Sequence, residues 1–226
     1  MRVLVLAAHP DDEVLGCGGT IAWHVDQGHD VAIHLMAEGA TSRTNVPDRV
    51  AMASELESLR SSARKAADIL GASISFDSYP DNRMDSVDLL DVVKSVERLI
   101  AEIRPDRIYT HHSGDVNIDH RIVHQAAVTA CRPVPEQCVR SLLFFETPSS
   151  TEWQPATSGE VFAPNWFVSI DTTIERKREA LKAYASEMRE FPHSRSLAAI
   201  NHLACWRGAS AGVHAAEAFM LGRTIV

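Results

Sequence analysis

Residues 3–13 read Val3-Leu4-Val5-Leu6-Ala7-Ala8-His9-Pro10-Asp11-Asp12-Glu13. The first six are all apolar and polar groups follow at once, which predicts a short buried strand. Pro10 fixes its own φ and biases His9 toward extended backbone, so we expect a sharp turn where the strand ends. An imidazole and two adjacent carboxylates at the end of a strand are what a catalytic metal site needs, because they offer ligands and a base together.

The rest of the chain alternates strand-like and helix-like segments, which predicts an α/β fold: a Rossmann-like, mostly parallel sheet with helices on both faces. Short apolar, β-branched runs predict strands over residues 2–8, 31–37, 73–76, 107–110, 141–145 and 166–170. Helical periodicity predicts helices over residues 13–27, 49–70, 86–103, 119–131, 172–185 and 196–206. We interpret residues 39–48 as a loop, residues 148–164 as a loop or lid, and Glu217-Ala218-Phe219 as part of the last turn.

Length and composition limit the class of protein. The 226 residues fit a single domain over 1–226, with a Rossmann-like core over about 1–145 and a C-terminal elaboration over about 146–226. The formal net charge of -8 disfavours a nucleic-acid partner and favours a small-molecule ligand. No apolar run approaches the length of a membrane span, so we expect none and a cytoplasmic location. Four cysteines without a Cys-x-x-Cys pair indicate reduced, structural thiols. A homo-oligomer is left open.

A second polar cluster follows the fourth predicted strand. Residues 111–120 hold three histidines and two aspartates within ten positions. Because parallel strands end at the same edge of a sheet, this cluster and residues 9–13 are expected to meet there. His9, Asp12 and His120 are the candidate metal ligands, with Asp11 as general base and Asp119 as an acid beside the ligands.

Other interpretations of these two clusters stay open. Asp11 and its neighbours could simply cap the following helix, since acids in a first turn satisfy free amides and the helix dipole. Histidines in an α/β protein are often surface or core residues. His111 and His112 leave a strand toward opposite faces, so at most one of them is expected to reach the site.

The two clusters together resemble the motifs of the LmbE-like, or PIG-L, family of zinc-dependent N-deacetylases. Ala8-His9-Pro10-Asp11-Asp12-Glu13 is similar to the first motif of that family, and Asp119-His120-Arg121 to the end of its second motif. The resemblance implies removal of an N-acetyl group from an N-acetylglucosamine-type sugar or conjugate. It also implies that His9, Asp12 and His120 hold Zn²⁺ and that Asp11 activates a zinc-bound water. The same ligands would accept Fe²⁺, Co²⁺ or Mn²⁺.

The second motif departs from the family pattern at one position. Many members have a histidine that stabilises the oxyanion or protonates the leaving amine where this chain has Asn117. An asparagine amide can donate a hydrogen bond to an oxyanion, but it cannot transfer a proton at neutral pH. The candidate acids are therefore Asp11, after it has taken a proton from water, His112 and His193.

Candidate substrate contacts are chosen from polar residues near the expected edge of the sheet. They are Glu38, Arg60, Asp81, Arg83 and His193, with Trp153 as an apolar face for a sugar. For each of the charged residues a solvated or structural role is an equal alternative.

Two rival functions remain at this point. Gly16-Cys17-Gly18-Gly19 after the first strand could cradle a diphosphate, as in a nucleotide or nucleotide-sugar enzyme. The glycines alternatively permit close packing of helix on sheet. The fold could also carry a metal without catalysing a reaction.

Overall fold

The computed structural model describes residues 1–43 and 49–226. Within these ranges seven strands form one sheet in the order β3-β2-β1-β4-β5-β7-β6. Strands β1 to β5 run parallel, β7 is antiparallel to β5, and β6 is antiparallel to β7. The strands are β1 (Arg2–Ala7), β2 (Asp30–Ala37), β3 (Ser73–Tyr79), β4 (Arg107–His111), β5 (Ser141–Phe145), β6 (Trp166–Ser169) and β7 (Ala216–Thr224).

Helices cover both faces of this sheet. They are α1 (Asp12–Asp26), α2 (Ala53–Leu70), α3 (Leu89–Ile103), α4 (Ile118–Ala130), α5 (Ile174–Ala183) and α6 (Leu197–Ala211). Alternate residues of β1 separate into two cores: Val3, Val5 and Ala7 pack with α1, α2 and α5. Leu4 and Leu6 pack with α3 and α4 on the other face. A strand buried on both faces has to be apolar throughout, which explains the uninterrupted run that opens the chain. The predicted fold class is confirmed.

One prediction about the C-terminal part was wrong. Glu217-Ala218-Phe219 is not a last turn but lies in β7, which pairs with β5 through Phe219 and with β6 through Ala218. The error has a physical cause, because a buried carboxylate interrupts the apolar pattern of this strand. Residues 146–226 thus extend the same sheet. Of the predicted loop over 39–48, Thr41–Arg43 forms a 3-10 turn and residues 44–48 lie outside the described residues.

The glycines of α1 allow close packing. A Cβ on Gly16 would lie 2.3 Å from the ring of Phe145, and one on Gly19 would lie 2.7 Å from Ile170. Close packing therefore requires glycine at both positions, which supports the interpretation that these glycines let α1 pack tightly on its neighbours.

A bend in α1 exposes amides that a buried acid satisfies. At Cys17 the backbone leaves helical geometry, with φ of -149°. The amides of Gly19 and Thr20 donate to the carboxylate of Glu217 at 2.9 and 2.7 Å, and Lys177 pairs with the same group at 2.5 Å. Amides already occupied by an internal carboxylate cannot cradle a diphosphate, so the structure does not support the nucleotide-binding rival. No helix in the described ranges is long and apolar enough to cross a membrane.

Candidate active site

The loops after β1 and β4 meet because these two strands are parallel neighbours. His9 and Asp12 come from the first loop and the start of α1, and His120 comes from the first turn of α4. His9 Nδ1 lies 3.2 Å from Asp12 Oδ2, and His120 Nε2 lies 3.1 Å from the same oxygen. All three side chains are buried, and their ligand atoms lie within 4.8 Å of one another.

This group has the donor chemistry of a divalent transition-metal site. His120 Nε2 is buried and makes no hydrogen bond of acceptable geometry to the described residues, despite its nearness to Asp12. A buried ring nitrogen and a buried carboxylate oxygen 3.1 Å apart form a pair that a cation bound between them would stabilise. Two imidazoles and one carboxylate facing a cavity match an open Zn²⁺ site and also suit Fe²⁺ or Co²⁺.

The electrostatics of the group also demand positive charge. Burial opposes protonation of His120, but the charges of Asp12 and Asp115 outweigh burial and raise its pKa to about 9. Burial likewise opposes ionisation of Asp12, yet the neighbouring His120 and His9 hold the pKa of that carboxyl well below its usual range. A bound proton thus occupies the role that a metal ion would fill.

Each histidine of the group has a carboxylate on its other ring nitrogen. His9 Nε2 lies 2.9 Å from Asp119 Oδ2, and Asp119 is itself held by the backbone amides of Asn82 at 2.6 Å and Met84 at 2.9 Å. Such partners orient metal-binding imidazoles and select the tautomer. Asp119 therefore lies beside the candidate ligand His9, in the position expected for it.

Asp115 occupies the matching position for His120, and the sequence analysis did not assign it. Its Oδ1 lies 3.2 Å from His120 Nδ1, and the hydroxyls of Ser150 and Thr151 donate to its carboxylate. Burial alone would raise the pKa of Asp115, but its contacts with His120 and the two hydroxyls lower it to about 2. The only signal in the sequence was its position within the histidine-rich stretch.

Asp11 lies next to the metal ligands but faces another way. It occupies the position before α1 with φ of 106°, and its side chain makes no capping hydrogen bond. Its carboxylate instead accepts from Arg195 at 2.9 Å. The structure therefore does not support the interpretation that Asp11 only caps the helix. Burial raises the pKa of Asp11 well above its usual range, and Arg195 opposes that rise.

The unusual backbone of Asp11 is held by its neighbours. Its amide donates to Glu13 Oε2 at 3.1 Å, and the hydroxyl of Tyr184 donates to Glu13 Oε1 at 2.6 Å. A positive φ at a residue other than glycine costs about 1–3 kcal/mol and persists only where surrounding contacts impose it. Such strain is common where a reactive group must be presented in one orientation.

Four further predicted residues, Asp81, Asn117, Trp153 and His193, line the same cavity. Asp81 is buried with Oδ1 3.3 Å from His9 Nε2. Asn117 caps α4 by accepting from the amide of Asp119 at 2.9 Å, and its Nδ2 donates to Asn82 Oδ1 at 2.9 Å. His193 comes from the connection between α5 and α6.

Besides Asp119, which lies behind His9, four predicted residues do not line the cavity. His112 points away, with Nε2 3.2 Å from the carbonyl oxygen of Glu160 and its ring against Phe162. His111 is the inward member of the adjacent pair, with Nε2 3.6 Å from Asp12 Oδ2. The position of His112 outside the cavity argues against a role for it as the catalytic acid.

The other three are the predicted substrate contacts Glu38, Arg60 and Arg83. Glu38 is buried and binds Thr41 and Arg49, while Arg60 donates to Ser78 over the ring of Phe76. Arg83 is exposed and does not line the cavity. Their placement favours the structural or solvated alternative for all three.

The cavity has a volume of about 440 Å³ and is lined mainly by polar groups. A second wall of the cavity comes from residues 149–153 and 187–195, of which the sequence analysis assigned only Trp153 and His193. This wall brings Ser149, Ser150, Trp153, Glu187, Arg189, His193 and Arg195 to the cavity. These segments lack a regular hydrophobic period, and the interpretation of residues 148–164 as a loop or lid was the one sequence indication for part of them.

Comparison with protein families identifies the chain. The family model PIG-L, described as GlcNAc-PI de-N-acetylase, matches residues 4–131, which is more than half of the sequence. This protein belongs to the PIG-L family.

Individual relatives differ in their named activities. The chain is 31% identical over 191 residues to an uncharacterized deacetylase, YaiS, of Escherichia coli (strain K12), covering 81% of this chain and 90% of that protein. It is 28% identical over 189 residues to a probable N-acetyl-alpha-D-glucosaminyl L-malate deacetylase 2 of Bacillus cereus, covering 82% and 83%. It is also 26% identical over 212 residues to a 4-oxalmesaconate hydratase of Pseudomonas putida, covering 81% and 73%.

Solved structures share the fold. An N,N'-diacetylchitobiose deacetylase from Pyrococcus horikoshii, solved with an inhibitor, superposes with a TM-score of 0.78 at 19% identity, covering 98% of this chain and 84% of that one. At this level of identity the match establishes the common α/β architecture.

Proposed function

We propose that this protein is a metal-dependent hydrolase that removes the N-acetyl group from an N-acetylglucosamine-type sugar or a conjugate of one. In this proposal residues 1–226 act as a single domain, and His9, Asp12 and His120 hold the metal ion. The proposal is carried by one observation about the cavity. Three buried side chains bring their ligand atoms together, whereas the neighbouring carboxylate of Asp11 is not part of that group and binds Arg195.

A metal ion held by His9, Asp12 and His120 would supply Lewis-acid chemistry, which lowers the pKa of a bound water to about 7 and polarises a carbonyl. Asp11 would accept the proton that the attacking water loses as the new C–O bond forms at the acetamide carbon. Arg195 holds the carboxylate of Asp11 in place, and the Glu13 contact to its amide fixes its backbone. Asp119 and Asp115 orient the rings of His9 and His120.

The cavity supports the class of substrate. Its volume of about 440 Å³ lies within the range of small-molecule sites, and its wall offers carboxylate, amide and hydroxyl groups to sugar hydroxyls. These groups include Asp81, Asn82 and Ser149. The named deacetylases among its relatives and structural neighbours add support.

The test is a substrate screen with the metal-loaded protein. Acetate and free amine are measured across N-acetylglucosamine, its malate glycoside, diacetylchitobiose and a phosphatidylinositol conjugate. The proposal predicts that at least one of them yields acetate and amine in equal amounts. Stoichiometric metal without acetate release from any of them would favour a non-catalytic protein, and water addition to an unsaturated dicarboxylate would favour a hydratase.

A further inference from the structure

His111 is the last residue of β4, which lies between β1 and β5 in the sheet. Its side chain contacts the segments that follow both neighbours. The amide of Ala8, directly after β1, donates to Nε2 of His111 at 2.8 Å. On the other side, Nδ1 of His111 lies 3.3 Å from the hydroxyl oxygen of Thr147, shortly after β5. All three residues are buried, so this imidazole joins the ends of three strands inside the protein.

These two contacts determine the tautomer of His111. A ring nitrogen that accepts an N–H carries no proton, so the neutral ring has its proton on Nδ1 and donates it to Thr147. The lone pair of Nε2 is occupied by the amide of Ala8. Although Nε2 lies 3.6 Å from Asp12 Oδ2, it is therefore not free to bind a metal ion. The hydrogen bonds of His111 thus argue against a role as a further metal ligand.

The ring of His111 lies against a candidate ligand instead. It stacks on the ring of His120, with centroids 3.9 Å apart and 17° between the two planes. The ring of Phe145 packs edge-on against His111, with centroids 4.7 Å apart, and supports it. A side chain in close contact over the face of its neighbour restricts the rotation of that neighbour. His111 therefore restrains the plane of the His120 imidazole.

A chain of hydrogen bonds connects His111 to the far side of the same ligand. The amide of Thr147 donates to the hydroxyl oxygen of Thr151 at 2.8 Å, and that hydroxyl donates to Asp115 Oδ2 at 2.7 Å. Asp115 Oδ1 lies 3.2 Å from Nδ1 of His120. The contacts form a closed cycle that begins and ends at His120, and every member of it is buried.

We propose that His111 is a positioning residue for the metal ligand His120. Its ring fixes the plane of the imidazole, and its bond to Thr147 supports the carboxylate that binds the other ring nitrogen. This role rests on the proposed function, in which His120 holds the metal ion. A ligand that is already oriented loses less freedom on binding, so the metal affinity is higher. Partners that orient a metal-binding imidazole typically contribute about 10- to 100-fold in affinity.

The experiment measures metal binding separately from activity. Wild type, His111→Ala, His111→Phe and Thr147→Val are titrated with Co²⁺ in competition with a chelator, and the visible absorption spectrum of each Co²⁺-loaded protein is recorded. We expect His111→Ala to lower the Co²⁺ affinity by about 10- to 100-fold. Its absorption bands should also shift, because they depend on the geometry of the ligands and His120 is then free to rotate.

The other two variants separate the two contacts of His111. His111→Phe keeps a ring against His120 and should recover part of the affinity that His111→Ala loses. Thr147→Val keeps the stacked ring but removes the acceptor of Nδ1–H, so it should lose affinity to a smaller extent than His111→Ala.

The matched control is His24→Gln. This change also removes a buried imidazole with two hydrogen-bond partners, Tyr109 and His29, but it lies outside the metal group. It should lower the temperature of thermal unfolding and leave the Co²⁺ affinity and spectrum unchanged. A structural role alone would make His111→Ala behave in the same way.

Two results would overturn the role of His111. One is a wild-type Co²⁺ affinity and spectrum in both His111→Ala and Thr147→Val, with Thr147→Val deciding alone if circular dichroism shows that His111→Ala does not fold. The other is an equal loss of affinity in His24→Gln. A wild type that binds Co²⁺ but releases no acetate contradicts the proposed function and not the positioning of His120, so the two failures are separated.

Discussion

The two walls of the cavity differ in how they are built. The metal-facing wall comes from residues 9–12 and 115–120, in loops and first helical turns that follow the adjacent strands β1 and β4. Its acids and imidazoles are buried and joined by short contacts. The second wall comes from turns at 149–153 and from the connection between α5 and α6. It is open at Trp153, which is 53% exposed, and at Arg189, whereas Ser149, Ser150 and Glu187 are buried.

This difference separates two tasks. Buried side chains that fix one another suit a metal ion and a base, whose geometry must not change. Exposed aromatic and basic side chains on irregular segments suit recognition of a substrate. We therefore expect substitutions on the metal-facing wall to abolish chemistry, and those of the exposed side chains of the second wall to change substrate binding.

The largest effect is expected for His120→Ala. This change removes a ligand and leaves Asp12 and Asp115 without their shared partner, so the protein should lose its metal ion. Activity should fall by about 10³-fold or more, because metal assistance supplies several kcal/mol to the transition state. Elemental analysis with acetate release checks this, and circular dichroism controls for folding. Full metal content in this variant would exclude the assigned ligand set.

An intermediate effect is expected for Asp115→Asn. The change keeps the shape of the side chain but removes the charge that orients His120, so metal affinity should fall by about 10- to 100-fold. Metal competition with a chelator measures this. The matched control is His112→Gln, three residues away along the chain, which contacts Glu160 and should leave affinity unchanged. If Asp115→Asn and His112→Gln bind the metal ion with equal affinity, Asp115 does not contribute to the metal site.

The smallest effect is expected on the second wall, for Trp153→Ala. The exposed ring of Trp153 offers an apolar face to a sugar, and its loss should raise KM several-fold, by the equivalent of about 1 kcal/mol, while kcat changes little. Trp153→Phe should restore most of the affinity. Steady-state kinetics on the best substrate checks both. An unchanged KM in Trp153→Ala would place the sugar elsewhere in the cavity.

The same division explains what could be predicted from the sequence. The run before His9 specifies a strand buried on both faces, and a motif after each of two parallel neighbours specifies where the ligands meet. These features depend on local pattern and on the rule that parallel strands end at one edge. They were sufficient to predict the fold class and to predict that His9, Asp12 and His120 lie close together.

The remaining features depend on contacts that no local pattern encodes. Glu217 lies in a strand because Lys177 and two amides of α1 neutralise it, and these partners are 40 and almost 200 residues away. Arg195 reaches Asp11 across 184 residues from a segment without periodicity. Glu38 directly follows β2, but its carboxylate binds Thr41 and Arg49, and these contacts determine where the side chain points. Long-range partners of polar residues, not the elements themselves, limited the prediction of the site.

The central claim is that Asp11 acts on protons while its three neighbours hold the metal ion. The most direct test compares wild type, metal-stripped wild type and Asp11→Asn for metal content and for acetate release from the same substrate. We predict that stripping abolishes activity and that adding metal restores it. Asp11→Asn should bind one metal ion per chain and lose about 10²- to 10⁴-fold in kcat. An Asp11→Asn protein with full activity, or one that loses its metal ion, would contradict this account.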